Sequence, residues 1–402
     1  MVRENARDVP LMTPLRVLHL AANRWWTGSA DPIIRLVKGL EERGHRVLLG
    51  AVRGDRFETK ALEAGISLLP DLSLDPRVRP RAFCHDMRCL RRLVVREAVH
   101  IIHCHHSHDH WLGAICHGQA ALFRTFHSHR AVKRGWLSRA LQRRTHAVFA
   151  VSRQIQIRSL ETGFQPDQVW LVSAATDLRR FSPNVDGKAV RDELGLGEAP
   201  VVGSVARLAP NRGHELLIDG FRLLLQLLPE ARLLLVGKGE SRPRLERRVF
   251  ELGLGNRVLF TGYRDTDLPQ LLAAMDCFAL MGAGSEESCR AAVEAMAVAK
   301  PVVAHRVGAL PETVLDGETG LLLADDQPES VARALGEILL NPERARRMGA
   351  AGRLRAEREF NPERAVETVE TAYYDILARL RQRPRGPNRR LRAPNQRLGS
   401  GR

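Results

Sequence analysis

The stretch Met281–Met296, reading MGAGSEESCRAAVEAM, gathers residues able to do chemistry. An apolar run empties there into a loop with Gly282 and Gly284, and a helix is expected from about Ser288. The free backbone N–H groups of a helix start, together with its dipole, favour an anion. Glu286 falls in the loop and Glu294 inside the helix, eight positions apart. An ionised carboxylate only accepts hydrogen bonds, so Glu294 suits the two hydroxyls of a ribose cis-diol and Glu286 the hydroxyls of a second sugar. Spacing alone equally allows two solvated helix-end acids.

Histidines form the second concentration. His103, His105, His106, His108 and His110 crowd the end of one expected strand with Asp109 among them, and His127 and His129 follow beside Phe126. Such residues can hold zinc. Adjacent pairs such as His105-His106 point to opposite faces of a strand, however, so no metal is expected. Groups lining a cleft and binding ligand hydroxyls, or plain structural histidines, are the remaining readings. Trp25 and Trp26, next to Gly28, either pack under a loop or form a wall for an apolar or sugar-bearing ligand.

The elements that must position these residues alternate short β-branched runs with amphipathic helices, the grammar of parallel sheets with helical crossovers. In the first half, strands are expected at 16–21, 47–52, 100–105 and 147–151, with helices at 31–42, 86–96 and after Ser152, a suitable cap. The pattern restarts with strands at 200–205, 232–236, 257–261, 277–281, 301–304 and 320–323. Helices are expected at 213–228, 329–340 and 362–380. The fold class is therefore α/β, with two Rossmann-like domains facing each other across a cleft and a C-terminal helix closing the chain. Ligands of such sheets bind beyond the strand C-termini. The expected organisation is an N-terminal extension over 1–14, a first domain over 15–176 and a linker over 177–199. A second domain over 200–360, the closing helix over 361–380 and a tail over 381–402 complete it.

The 402 residues suit two cores better than one. No apolar run reaches the roughly 18–20 residues that span a bilayer, and residues 1–14 do not read as a signal segment. Six scattered cysteines without a CxxC pair fit a reducing, cytoplasmic compartment. Of the net charge of +16, half sits in Arg381–Arg402, which has eight arginines and no acid. A tail of Arg, Pro, Gly and Asn cannot bury a core and is expected to be disordered. It is either a solvated extension or an attachment to anionic lipid headgroups. It lacks aromatic residues for base stacking, so nucleic acid is not expected.

The chain resembles the family 4 glycosyltransferases, retaining enzymes of the two-Rossmann GT-B fold. Glu286 and Glu294-Ala295-Met296-Ala297 resemble that family's paired glutamates, followed by Lys300-Pro301-Val302-Val303, Val307–Glu312 and Asp316–Leu321 in its order. Gly203–Arg207 with Arg212-Gly213 resembles its diphosphate-binding stretch, with Arg212 where Lys is usual. The resemblance implies that Glu294 binds ribose, Glu286 the transferred sugar, and Arg207 and Arg212 the diphosphate of a nucleotide-sugar donor. It likewise places Gly262 and Tyr263 at the nucleobase, Lys238 near the nucleotide, and Gly28 and Ser288 at the donor. His127 would touch the transferred sugar. His105, His108, Asp109, Trp25 and Trp26 would meet the acceptor. Two departures stand out: Glu287 where Gly is usual, and Ser173-Ala174-Ala175-Thr176 where the family has Asn-Gly.

The implied reaction is retaining transfer of a sugar to a glycan or lipid-linked acceptor, serving cell-envelope polysaccharide synthesis. Glu286, His127, Arg207 and Arg212 would form the catalytic set. No cofactor or metal is expected, since two fixed cations can stabilise the departing nucleotide. The expected location is cytoplasmic, peripheral on the inner face of the membrane through the basic tail. A nucleotide-sugar epimerase on the same scaffold and a non-catalytic sugar-nucleotide-binding subunit are the rival readings.

Overall fold

The computed structural model describes residues 13–22, 30–75, 77, 79–282 and 289–382. Their strands are β1 (Arg16–Ala21), β2 (Arg46–Ala51), β3 (Ile101–Cys104), β4 (Ala121–Phe126), β5 (Ala147–Ala150) and β6 (Val169–Leu171) in the first half. The second half holds β7 (Val201–Val205), β8 (Arg232–Val236), β9 (Val258–Gly262), β10 (Cys277–Leu280), β11 (Val302–His305) and β12 (Gly320–Leu323). They form two six-stranded sheets, ordered β2-β1-β3-β4-β5-β6 and β12-β11-β10-β7-β8-β9. Pairing is parallel throughout both sheets. Helices cover both faces of each, which is why β3, β4, β5 and β10 are buried at every position rather than alternating.

Elements with a clear apolar period form close to where the sequence puts them, and Ser152 caps its helix by accepting a hydrogen bond from Ile155 N. The helix expected at 86–96 starts earlier, at Pro80, and the one expected from Ser288 begins at Arg290. The stretch expected to be a linker carries a short helix, Lys188–Glu193. Gly187 at its start lies against the Ala274 backbone, where an added Cβ would sit 2.4 Å from the nitrogen.

The last helix, Pro362–Gln382, returns to the first sheet. Val366, Val369, Tyr373 and Ile376 share a core there with Val17, Ile101, Phe123 and Phe149. Further links join the halves at the strand ends, where Arg153 N donates to Glu312 and Arg290 pairs with Asp31. The first sheet therefore includes sequence from both ends of the chain in its core.

Candidate active site

The second sheet's strand ends build an open cleft of about 860 Å³. Arg212, Gly213 and His214 follow β7 on its wall, Met281 and Gly282 follow β10, and His129 and Arg130 face them from the first half. Gly213 takes φ +71 as the N-cap of the helix His214–Leu224. An added Cβ there would lie 2.4 Å from Met281 Cβ, and one on Gly282 would lie 2.8 Å from the Arg212 backbone. The two loops touch because both positions are glycine. That contact fixes the backbone from which Arg212 projects.

Arg207 is exposed at the end of β7 and its Nη2 donates to Glu240 Oε2 at 2.9 Å. Glu240's own backbone N–H, then Arg207, hold that carboxyl below its usual range, and Arg212 adds a smaller pull. Arg207 therefore holds an anion close to where a diphosphate is expected. Glu240 was not legible as a site residue, since a lone acid after Gly237-Lys238-Gly239 has no distinguishing pattern. Burial, with Arg212 second, pushes the neighbouring His214 imidazole down to about 4.

Glu294 does not line that cleft. It is buried on the helix Arg290–Ala297, with Oε1 3.0 Å from Arg290 Nε. It borders a separate cavity of about 300 Å³ with Asp31, Arg35, Arg180 and Arg290. Burial raises the Glu294 carboxyl's pKa, against the pull of Arg290. Among the described residues, the expectation that Glu294 and the two arginines share one pocket is thus corrected: Arg212 lines the first cavity, Glu294 the second, and Arg207 neither of them. In sequence, residues 283–288 run from Gly282 on the first to Arg290 on the second. Glu286 and Ser288 belong to that stretch and lie outside the described residues, as do Trp25, Trp26 and Gly28.

Gly262 takes φ +73 at the end of β9, with the exposed Lys238 alongside. The Tyr263 ring is half-exposed, and the guanidinium of Arg56 from the first half sits 4.8 Å from its centroid. A cation from the opposing domain therefore covers the ring expected at a nucleobase.

The histidine region divides. Asp109 is fully buried, and its carboxylate accepts from Ala22 N at 3.0 Å and His106 N at 2.8 Å and pairs with Arg124 at 3.3 Å. Burial raises it to about 6 despite Arg124. Its oxygens hold the turn after β1 and the start of the helix Ser107–Cys116, so its expected role at an acceptor is corrected to a structural one. His108 packs against Phe83, whereas His105 is buried beside His19 and His103. These two expected acceptor contacts face different surroundings. His127 follows β4 with its ring 5.9 Å from that of His105, and burial, with Arg124 second, pushes it down to about 3. It lines a small, mainly apolar cavity with His105 and Thr125 rather than the large cleft.

Residues 187–355 match the family described as glycosyl transferases group 1, and residues 27–180 match glycosyltransferase family 4. Between them the two family models cover most of the chain, and both describe glycosyltransferases. Its two sheets are the GT-B arrangement. The chain is 39% identical over 185 residues to the GDP-mannose-dependent alpha-(1-6)-phosphatidylinositol monomannoside mannosyltransferase of Mycolicibacterium smegmatis. That match covers 44% of this chain and 48% of the relative, so the chain spans about half the length of the curated relatives it matches. Among solved structures, a glycosyltransferase from Rickettsia africae superposes with a TM-score of 0.80 at 19% identity, over 91% of this chain and 99% of its own. Anabaena HepE, solved with UDP and glucose, gives 0.77 at 22% over 90% and 99%. At such identities the family likeness of these structures is one of fold.

Proposed function

We propose that the protein transfers a sugar from a nucleoside-diphosphate sugar, with GDP-mannose the first donor to test, to a hydroxyl of a glycan or lipid-linked acceptor. The observation that carries this reading is Arg212 on the wall of a cleft at the strand ends, with Arg207 paired to Glu240, the residue just before Ser241 on that same wall. Guanidinium groups grip phosphate oxygens bidentately and keep their charge at all working pH values. Glu240 would yield its place to the donor's diphosphate. The mannosyltransferase relative supports the choice of donor.

In the reaction, the acceptor hydroxyl oxygen bonds to the anomeric carbon as the bond from that carbon to the β-phosphate oxygen breaks. Attack comes from the face the phosphate leaves, as the family resemblance implies, and the hydroxyl proton passes to the departing phosphate. The products are the glycoside and a nucleoside diphosphate. Arg207 and Arg212 stabilise the charge that collects on the leaving group. Glu286 would orient the sugar, and no protein nucleophile is needed. A peripheral position on an anionic membrane through the basic residues of the tail and a role in envelope polysaccharide synthesis belong to the same reading. No helix among the described residues is long and apolar enough to cross a membrane.

A thermal-shift screen against GDP-mannose and UDP-, ADP- and dTDP-sugars tests the donor. A ligand at a hundredfold excess over its dissociation constant adds roughly 2.7 kcal/mol of stability. Incubating the stabilising donor with and without acceptors separates transfer from epimerisation, which needs the donor alone. No stabilisation by any of the four classes would remove the reading.

A further inference from the structure

His19 lies on β1 in register with His103 on β3, and His105 stands two residues beyond His103. Adjacent residues of a strand face opposite ways, but residues two apart share a face. His103 and His105 therefore point to the same side, and the parallel neighbour β1 brings His19 to meet them. All three are at most 2% exposed. One ring nitrogen from each falls within 4.8 Å of the others. The divergence of His105 and His106, from which no metal was expected, does not apply to this trio.

Hydrogen bonding within the trio is incomplete. His19 Nδ1 lies 3.0 Å from His105 Nε2, so one donates to the other. The far nitrogens, His19 Nε2 and His105 Nδ1, have no partner. Whichever tautomers are present, two neutral rings joined this way leave one N–H and one lone pair unsatisfied in the core. Leaving such groups unmade in the core is unfavourable. Such a buried, half-satisfied pair needs an explanation, and a bound ion that reorients the rings is one. His103 differs, with its ring nitrogens 2.6 Å from Tyr373 Oη and 2.7 Å from Thr125 Oγ1. A ligating histidine is commonly held by an oxygen on its other nitrogen, as Tyr373 or Thr125 would hold this one.

We propose that His19, His103 and His105 form a binding site for one divalent transition-metal ion of the zinc class. Three imidazoles suit Zn²⁺, Co²⁺ and Ni²⁺ and disfavour Mg²⁺ and Ca²⁺, which take oxygen ligands. At the usual Zn–N length, tetrahedral ligand nitrogens stand about 3.4 Å apart. The 3.0 Å between His19 Nδ1 and His105 Nε2 and the 4.8 Å limit over the whole trio bracket that spacing. Three neutral ligands leave the dication in need of a further donor, as in catalytic three-histidine sites that keep a water. A cavity of about 80 Å³ lined by His105, Thr125 and His127 adjoins the trio. It exceeds the roughly 10–15 Å³ one water needs. Both nitrogens of His127 lack partners and can bond such a water.

The site is independent of the donor cleft. It ties β1 and β3 to the returning helix Pro362–Gln382 through Tyr373, which gives the ion a structural place in the first domain.

The test uses the full chain without an affinity tag, stripped with chelator and titrated with Zn²⁺ by calorimetry and with Co²⁺ by visible absorption. The expected result is one equivalent bound at micromolar or tighter affinity, with tetrahedral Co²⁺ bands and a higher Tm. His19→Gln and His105→Gln should each weaken binding at least tenfold, whereas His85→Gln, on an exposed helix face, should not. Less than a tenth of an equivalent bound, or affinity unchanged in both variants, would overturn the proposal and leave the trio as packing beneath His127. Should either variant fail to fold, the Co²⁺ spectrum of the unaltered chain decides, since octahedral or absent bands contradict an all-imidazole tetrahedral site.

Discussion

Arg290 Nη1 lies 2.6 Å from Asp31 Oδ2, joining the first turn of a helix in one half to the first turn of a helix in the other. The same guanidinium holds Glu294 by Nε, and Arg35 holds the same oxygen of Asp31 at 2.8 Å. Burial raises the Asp31 carboxyl's pKa, but Arg290 and Arg35 outweigh it and keep the group below its usual range. Two acids and two bases thus share charge across the interface beside the helix that carries the expected ribose ligand.

Removing one member should therefore loosen the contact between the halves. These side chains are about one-fifth to one-quarter exposed, between surface pairs worth 0–1 kcal/mol and buried ones worth 3–5 when broken. Arg290→Gln and Asp31→Asn should each cost about 1–2 kcal/mol by that interpolation. A double-mutant cycle read by urea denaturation should show the double variant losing less than the sum of the singles. Strict additivity would mean the pair is not formed in solution.

Gly213 tests the loop geometry. Its positive φ and the 2.4 Å approach of Met281 mean that Gly213→Ala meets both backbone strain and a clash. The expected loss is about 2–4 kcal/mol of stability, from strain and overpacking together. Gly213→Ala should also weaken donor binding more than Gly255→Ala, where an added Cβ meets nothing. Equal donor affinities in the two variants would separate Arg212's placement from this contact.

The buried histidines set an acid limit. Burial pushes His19 to about 3 and His214 to about 4, both below the unfolded value of about 6.5. Between those limits the unfolded chain binds protons that the folded chain refuses, so stability falls as pH drops below about 6.5. Each such histidine contributes a slope of about 1.4 kcal/mol per pH unit. Asp109, raised to about 6, works in the opposite sense, because its folded form favours the protonated acid that low pH supplies. Two histidines against one carboxyl predict a net loss. Tm should decline steadily from pH 7 to pH 5 in metal-free protein, and a flat profile would contradict neutral burial of these rings.

Much of the fold is legible because strands with branched apolar residues and helices with a 3.6-residue period must bury one face. The exceptions have identifiable causes. In β4, Arg124 interrupts the apolar run, yet it is buried because Asp109 from a neighbouring helix pairs with it. β6 is three residues long, too short to show a period. The helix Pro342–Glu359 buries Met348, Gly349, Gly352 and Ala356, so its inward face is made mainly of small residues. Gly349 lets the backbone come close to Ala299, where a Cβ would lie 2.0 Å from the carbonyl oxygen. Small residues chosen for close approach leave little hydrophobic signal.

Residue type and chain position place Arg212 at the strand ends, where the structure has it on the cleft wall. The site was not legible where long-range pairing decides. Nothing near Asp31 marks it as the partner of a residue 259 positions away. His19 reads as one polar residue inside β1 until the register sets it beside His103. The dense histidine run drew the eye to neighbours in sequence, whereas the sheet sorts them by alternate position.

Donor affinity in an Arg207→Ala, Arg212→Ala double variant is the decisive measurement, made by isothermal titration with the nucleotide sugar that most stabilises the unaltered chain. Each charged hydrogen bond to the diphosphate is worth about 1.5–3 kcal/mol, so losing both should weaken binding at least about a hundredfold. Circular dichroism should show the sheets intact, since both side chains extend from loops. A folded double variant that binds the donor as tightly as the unaltered chain would contradict a diphosphate site at these two arginines.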